Sequence, residues 1–549
     1  MTNESLIGRN VYWFLIDGLS PYHLNSCGND TVVRNFFDEL VEKGILFTNV
    51  ASTAGGTHAS MHSIFSSLMP SANGAEGWAR ESLRKFDPEI FTLTDLFKYK
   101  GYNTFRYCDA DGERTVPMSG FDIWESSGYL IRELMDKTHM AKTPRRDRFI
   151  QSVKQFSSPM FVYHHIELLH ELNAKLGNVW KDSDYERNIV IVANEFKKLL
   201  NEYKLNKNDI LILSSDHGVV LNKNWLSDGD VNGEHHYEQS VRTFCAIISE
   251  GISANRFDKL ISSLDIAPTI AEMVLGIDMP GQGISRYPMI KDNQYVQRMV
   301  FREKGTYCTN TPSLRNPLTS DVFYVRDNRW KYVYGLNDKR CEWLIDLEND
   351  DDYSVNLVNK NTELVKKYRE ILQNTLINHD IKVRDIYANA NFNMKKKDIH
   401  YYYSVIINAE KCSEEVFSNI SDLAGPYYEI VILGKKEKYR RINVRYIDKS
   451  FNQLEETDIK GDYIVYLEGN IEYSEYLLSD LYCIINSYKD KRLIFYDGWC
   501  SKRNIINSGN KKRKLLNIRD VYDLSHKNIQ FKIHRYFHIL NKWMQFSEL

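Results

Sequence analysis

Four residues stand out by type and position: Asp17, Thr57, Asp216 and His217. Two carboxylates and an imidazole form a fair donor set for a divalent cation. A hydroxyl beside such a cation loses its proton more readily and becomes a nucleophile. Thr57 follows Gly55-Gly56 and opens a run of helical pattern, SMHSIFSSLM. The start of a helix favours an anionic group such as phosphate. Taken singly, each residue has a plainer reading. Asp-Gly is a common turn, and a threonine before a helix is a common cap.

The flanking sequence explains how the four could meet. VYWFLI (11–16) is a short apolar run that stops at Asp17-Gly18, as a buried parallel strand does at its loop. Residues 32–44 have helical spacing, with Val33, Phe36, Phe37, Leu40 and Val41 on one side. ILFTNV (45–50) reads as a second strand, followed by the small-residue loop ASTAGGT. Further strands are expected at 160–164 and 209–214, the latter ending at Ser215-Asp216-His217-Gly218, with an amphipathic helix over 184–204 between them. Alternating strands and helices predict an α/β fold with a mostly parallel sheet flanked by helices. Ligands bind such sheets beyond the carboxyl ends of the strands, and there the four residues fall. DIAPTIAEMVLG (265–276) reads as a helix with proline in its first turn. Residues 322–346 suggest a small antiparallel subdomain, and 362–377 a helix.

Composition sets the limits. The 549 residues are 43% hydrophobic and 26% charged, with 28 glycines and 12 prolines, an ordinary globular balance. The net charge of −2 argues against a dominant basic field for nucleic acid. The eight cysteines are scattered, with no CxxC, which fits a reducing compartment. The opening MTNESLIGRNVYWFLIDG does not read as a signal peptide, and no window is apolar enough for a membrane span. These features predict a cytoplasmic protein.

Six segments, FLIDGLSPYHL, GILFTNVAS, GGTHASMHSIFSSLMPSANG, ILSSDHGV, GEHHYEQSVRTF and LDIAPTIAEMVLGI, occur in the order seen in the alkaline phosphatase superfamily. The pattern resembles its sulfatase-like branch, which includes phosphoethanolamine transferases and lipoteichoic-acid synthases. VRDNRWKYVY and WLIDLENDDDYSVNL resemble the carboxyl-terminal subdomain of sulfatases, so the resemblance spans roughly residues 8–378. It implies one metal held by Asp17, Thr57, Asp216 and His217, with Thr57 as covalent nucleophile. Sulfatases carry a C/S-x-P-x-R motif matured to formylglycine. Here the matching stretch is Thr57-His58-Ala59-Ser60-Met61, without the cysteine or the arginine. Threonine is what the phosphoryl and phosphodiester branches use, so a phospho-threonine intermediate is expected. His170 and His235 match two further family histidines, and His236 competes with His235. Glu167, His170 and His235 would form a second metal site or protonate the leaving group. Zn or Mn is expected, as one ion or two. Tyr237 and Arg242 read as structural. Arg329, Trp330 and Lys331 fit either a cleft edge or a packed strand.

The alternating pattern breaks near 380–400, giving expected divisions of a core (1–300), a subdomain (301–380), a linker (381–400) and a second, smaller α/β domain (401–549). YYYSVIINAEKCSEEVFSNISDLAGPYYEIVILG resembles the opening of family 2 glycosyltransferases of GT-A fold. Their metal-binding Asp-x-Asp is missing, since Leu467-Glu468-Gly469-Asn470 stands there. This implies a degenerate GT-A-like domain. The basic run Lys511-Lys512-Arg513-Lys514 and a basic aromatic tail could pack or lie on an anionic membrane at its inner face. The expected activity moves a phosphoethanolamine, phosphoglycerol or phosphoramidate-type unit from a soluble phosphate-containing donor to a sugar or polysaccharide of capsule or lipopolysaccharide. A phosphodiesterase or phosphatase is the alternative, and an idle glycan-binding scaffold the non-enzyme one.

Overall fold

The computed structural model describes residues 6–54, 56–75, 86, 90–109, 116–117, 119–126, 144–156, 159–174, 180–221, 237–304, 322–335, 342–349, 355–377, 386–387, 402–420, 423, 428–434, 444–467, 477–478, 481, 492–495, 498–502 and 515–517. The chain divides into two units, 1–127 with 137–397, and 128–136 with 398–549.

The first unit is built on a nine-stranded sheet. Its strands are β1 (Val11–Ile16), β2 (Ile45–Ala51), β3 (Asn103–Cys108), β4 (Ile123–Ser126), β5 (Met160–Ile166), β6 (Ile210–Ser214), β7 (Arg242–Ile248), β8 (Asn255–Phe257) and β9 (Ile261–Ser262). The spatial order is β4-β3-β5-β1-β6-β7-β2-β8, with β9 also on β2. β1 lies parallel between β5 and β6, while β7 runs antiparallel to both β6 and β2. All six residues of β1 are buried, as expected of a central parallel strand covered on both faces.

Side-chain alternation along β1 divides the core in two. Tyr12, Phe14 and Ile16 face a cluster with Ile189, Val192, Phe196 and Leu199 of the helix Asp182–Tyr203. Val11, Trp13 and Leu15 face a cluster with Met61, Ile64 and Phe65 of the helix Thr57–Ser66, where Trp13 stacks on Phe65 at 5.2 Å. The helical segment expected over 32–44 is only Phe36–Val41. Asn35 and Asp38 close a capping box that fixes its start, and Val33, expected on its buried side, is exposed.

An antiparallel sheet follows: β10 (Val300–Lys304), β11 (Val322–Arg326), β12 (Trp330–Gly335) and β13 (Trp343–Asp346), in that order. The helix Thr362–Leu372 covers it through Val365, Tyr368 and Leu372. This sheet braces the loop that leads to Thr57. The Glu303 N–H donates to Thr53 O at 3.0 Å, and the Glu303 carboxylate accepts from Ser71 N and Oγ at 2.7 and 2.5 Å.

Lys331 is fully buried and bonds Glu238 at 2.9 Å, while Arg326 pairs with the other oxygen of the same carboxylate. Arg329 pairs with Asp346 at 2.8 Å and lies over Trp330. These side chains make structural contacts. Burial alone would raise the Glu238 pKa, but Arg326 and Lys331 hold it down at about 2, below its ordinary 4.5. A depressed carboxylate adds stability that is present above the ordinary value and is lost as pH falls through the folded value. Glu238→Gln, which leaves buried cations facing a neutral amide, is expected to cost about 3–5 kcal/mol. Chemical denaturation at neutral pH should show this loss, and the mutant's acid limb should be flatter than that of wild type.

The second unit contains β14 (Tyr403–Asn408), β15 (Tyr428–Leu433), β16 (Val444–Ile447), β17 (Tyr463–Leu467), β18 (Arg492–Phe495), β19 (Gly498–Lys502) and β20 (Leu515–Asn517). Their order is β16-β15-β14-β17-β19-β18-β20, parallel from β16 to β17 and antiparallel at β19. Residues 468–470, 511–514 and the terminal basic segment lie outside the described residues. No helix among the described residues is long and apolar enough to cross a membrane.

Candidate metal centre and nucleophile

Asp17, Thr57, Asp216 and His217 converge at the carboxyl ends of β1 and β6. Asp17 leaves β1 with its N–H bonded to Ile166 O of β5 at 2.9 Å. Gly18 then turns at φ +65°, a left-handed conformation that glycine adopts without strain, and its N–H donates to Asp216 Oδ1 at 3.1 Å. The buried Tyr185 hydroxyl clamps this turn, donating to Gly18 O and accepting from Ser20 N.

Thr57 is the first residue of its helix, and Gly56 before it makes no side-chain cap. Thr57 Oγ1 lies 3.2 Å from Asp17 Oδ2 and 3.4 Å from His217 Nε2. Ser60 donates to the main-chain oxygen of Asp216 at 2.6 Å, and Ser52 donates to the same atom at 3.0 Å. These bonds tie the helix Thr57–Ser66, the loop after β2 and the loop after β6 together. Met61 is completely buried in the apolar core, at the position where a sulfatase motif has its arginine.

His217 Nδ1 lies 2.7 Å from Gly218 O. A carbonyl only accepts, so Nδ1 carries the proton and Nε2 of the neutral ring presents a lone pair. That lone pair faces Asp216 Oδ2 at 3.3 Å. Gly218 has no alternative here, because a Cβ would lie 2.0 Å from Gln239 O. Asp17 Oδ1 and Asp216 Oδ2 are buried and accept no hydrogen bond among the described residues. Oxygen and nitrogen lone pairs converging without protons between them suit a divalent cation. The ligand atoms of Asp17, Asp216 and His217 all lie within 4.8 Å of one another.

Burial would raise the Asp17 pKa, but the hydrogen bond from His165 and the nearby His170 and His217 hold it well below the usual carboxylate range. Burial opposes a charged His217, yet Asp216 and Asp17 raise its pKa. His165 is raised likewise against its burial, by Asp17.

His165 was not among the expected site residues; it reads in the sequence as an ordinary strand histidine. It is fully buried, with Nε2 3.3 Å from Asp17 Oδ2 and Nδ1 3.0 Å from the Tyr163 hydroxyl. Glu167 joins Asp17 and His165 in a second close group. His170 lies on the helix Leu168–Ala174, with its ring edge-on to Trp180 and its charge felt at Asp17, but it belongs to neither ligand group. His235 and His236 lie outside the described residues.

The parallel sheet, the loop ligands and the antiparallel subdomain together define a sulfatase-type α/β fold. Residues 9–169 match the sulfatase family model. The chain is 23% identical over 354 residues to an ulvan-active sulfatase of Formosa agariphila, a match spanning 60% of this chain and 66% of that protein, just under two thirds. In structure it is similar to a 2-O GAG sulfatase, with TM-score 0.55 and 16% identity over 69% of this chain and 94% of the other. It is also similar to the phosphonate monoester hydrolase of Agrobacterium radiobacter, with TM-score 0.52 and 14% identity over 66% of this chain and 94% of the other. These likenesses show a sulfatase-like fold.

Proposed function

We propose that this protein is a metal-dependent phosphoric-ester hydrolase that uses Thr57 as covalent nucleophile. The observation that carries the reading is Thr57 Oγ1 at a helix start, within 3.4 Å of both Asp17 and His217. Oxidation of a threonine side chain gives a ketone, whereas the formylglycine route of sulfatases needs an aldehyde. Met61 replaces the motif's arginine with an apolar side chain. Both features favour phosphate over sulfate esters.

Asp17, Thr57, Asp216 and His217 would hold the cation, and their mixed oxygen and nitrogen donors suit Mn or Zn better than Ca. When bound, the cation polarises the phosphoryl oxygens and lowers the pKa of the Thr57 hydroxyl. Thr57 Oγ1 attacks phosphorus as the bond to the leaving alcohol breaks, and the Thr57 proton ends, in net terms, on that alcohol. His170 relays this proton. Water then attacks the phospho-threonine, the Thr57 ester bond breaks, and a water proton returns to Thr57. The positive end of the helix Thr57–Ser66 favours the charge that develops on the attacked group.

The names of the similar proteins direct the substrate class towards ester groups on glycans. A second reading keeps the first half-reaction and passes the phospho-substituent to a sugar hydroxyl. The order of β16 to β17 favours it, since such sheets open a ligand crevice at the carboxyl ends where the strand order reverses. A GT-A-like, glycan-binding second unit belongs to the same reading.

The test is turnover of bis-p-nitrophenyl phosphate, p-nitrophenyl phosphate and p-nitrophenyl sulfate by the full chain with added Mn or Zn. Phosphate-ester cleavage without sulfate cleavage is expected. Sulfate cleavage alone would contradict the proposal. A glycosylated product formed at the expense of free phosphate when sugar acceptors are added would favour transfer.

A further inference from the structure

We propose that His165, held in place by Tyr163, is a positioning residue for the Asp17 carboxylate. It fixes which oxygen of Asp17 is presented to the cation and which stands beside the Thr57 hydroxyl. The proposal rests on the metal-dependent reading above and deepens it by one residue that acts through Asp17.

A carboxylate has little orientation of its own, because the torsion that turns it is broad and two-fold. Its two oxygens exchange places unless a neighbour tells them apart. At Asp17 the neighbours do so. Oδ2 lies 3.3 Å from His165 Nε2 and 3.2 Å from Thr57 Oγ1. Oδ1 accepts no hydrogen bond among the described residues and lies 3.9 Å from His217 Nε2. A carboxylate oxygen only accepts, so His165 Nε2 carries a proton and donates it to Oδ2. That bond turns the lone pairs of Oδ1 towards Asp216 and His217, the other two members of the ligand group.

His165 is itself held. Its Nδ1 is 3.0 Å from the Tyr163 hydroxyl, which donates to it in the neutral ring. Both residues are fully buried. The Tyr163 ring packs edge-on against Trp13 at 6.0 Å and against Phe65 at 5.2 Å. Phe65 belongs to the helix that begins with Thr57. β5 also holds the main chain of Asp17, whose N–H donates to Ile166 O at 2.9 Å. One strand therefore fixes both the backbone and the side chain of this residue. Such hydrogen-bonded partners orient a metal ligand without touching the metal.

The bond matters most during the attack. As Thr57 Oγ1 gives up its proton it ceases to donate to Oδ2. Among the described residues, His165 is then the side chain that still donates to that oxygen. Its loss should therefore appear in metal affinity and kcat rather than in KM.

The experiment titrates metal-free full-length protein with Mn²⁺ by calorimetry and measures bis-p-nitrophenyl phosphate turnover at saturating Mn²⁺. His165→Ala is expected to lower Mn²⁺ affinity and kcat by about 10–100-fold each, with KM within about twofold of wild type. His165→Gln, whose amide N–H can reach Oδ2 in place of Nε2–H, should recover a large part of both. Tyr163→Phe keeps the ring packing, removes the hydroxyl and should weaken Mn²⁺ binding by about tenfold. A merely structural role would lower the melting temperature of the metal-free variants and give no rescue by glutamine. Wild-type Mn²⁺ affinity and kcat in folded His165→Ala overturn the proposal, and so does a glutamine variant as impaired as the alanine one. If His165→Ala does not fold, which circular dichroism reports, unchanged Mn²⁺ affinity in Tyr163→Phe overturns it. Wild type that binds no Mn²⁺ overturns the metal-dependent reading itself, and this proposal with it.

Discussion

Thr57→Ala is expected to lower kcat for phosphoester cleavage by about four orders of magnitude or more, the scale seen when a covalent nucleophile is removed. The fold should survive. Thr57 is the first helical residue and Gly56 precedes it, so no side-chain cap is lost. The hydroxyl's bond to Asp17 is worth about 1 kcal/mol net. Thr57→Ser keeps the nucleophile and should recover a large part of the rate, which separates loss of chemistry from loss of packing. Steady-state kinetics beside thermal melts checks both. Substantial turnover in folded Thr57→Ala would mean that another group attacks phosphorus.

Asp216→Asn is expected to abolish the stabilisation that metal confers while leaving the metal-free protein at least as stable as wild type. Asp216 Oδ1 accepts from Gly18 N, and the amide oxygen of asparagine can do the same. Its NH₂ can donate to His217 Nε2, which stands 3.3 Å from the present Oδ2 and carries a lone pair. A buried carboxylate oxygen without a hydrogen bond is replaced by a donor that has one, a gain of about 1 kcal/mol. The cation, in turn, loses a charged ligand. Wild type should gain about 2.7 kcal/mol at a metal concentration one hundred times Kd, and lose it on chelation. Melts of both proteins with Mn and with chelator give the comparison. A metal-dependent rise in Tm that persists in Asp216→Asn would remove this carboxylate from the ligand set.

Much of the scaffold was legible because central parallel strands write themselves as unbroken apolar runs. VYWFLI and ILILS each end where a chemistry-bearing residue begins, and strand-end geometry then puts Asp17 and Asp216 on one rim. His165 was not legible because nothing in MFVYHHI tells its two adjacent histidines apart. Alternation sends them to opposite faces. His164 meets Tyr203 beneath the helix Asp182–Tyr203, and His165 meets Tyr163 and Asp17. The usable signal was parity: Tyr163 and His165 must share a face, and register sets His165 beside Leu15 of β1, two residues before Asp17. Glu238 was hidden for a different reason. Its partners Arg326 and Lys331 lie about ninety residues downstream on the antiparallel sheet, and only the tertiary fold brings them together.

The proposed mechanism passes through a covalent phosphate on Thr57. It is tested most directly by rapidly quenching wild-type protein during turnover of a phosphodiester and mapping the adduct by peptide mass spectrometry. A phosphoryl-containing adduct on Thr57 is expected to appear and decay within the turnover time and to be absent from Thr57→Ala. An adduct on another residue, or burst-free turnover with Thr57 never modified, would contradict it.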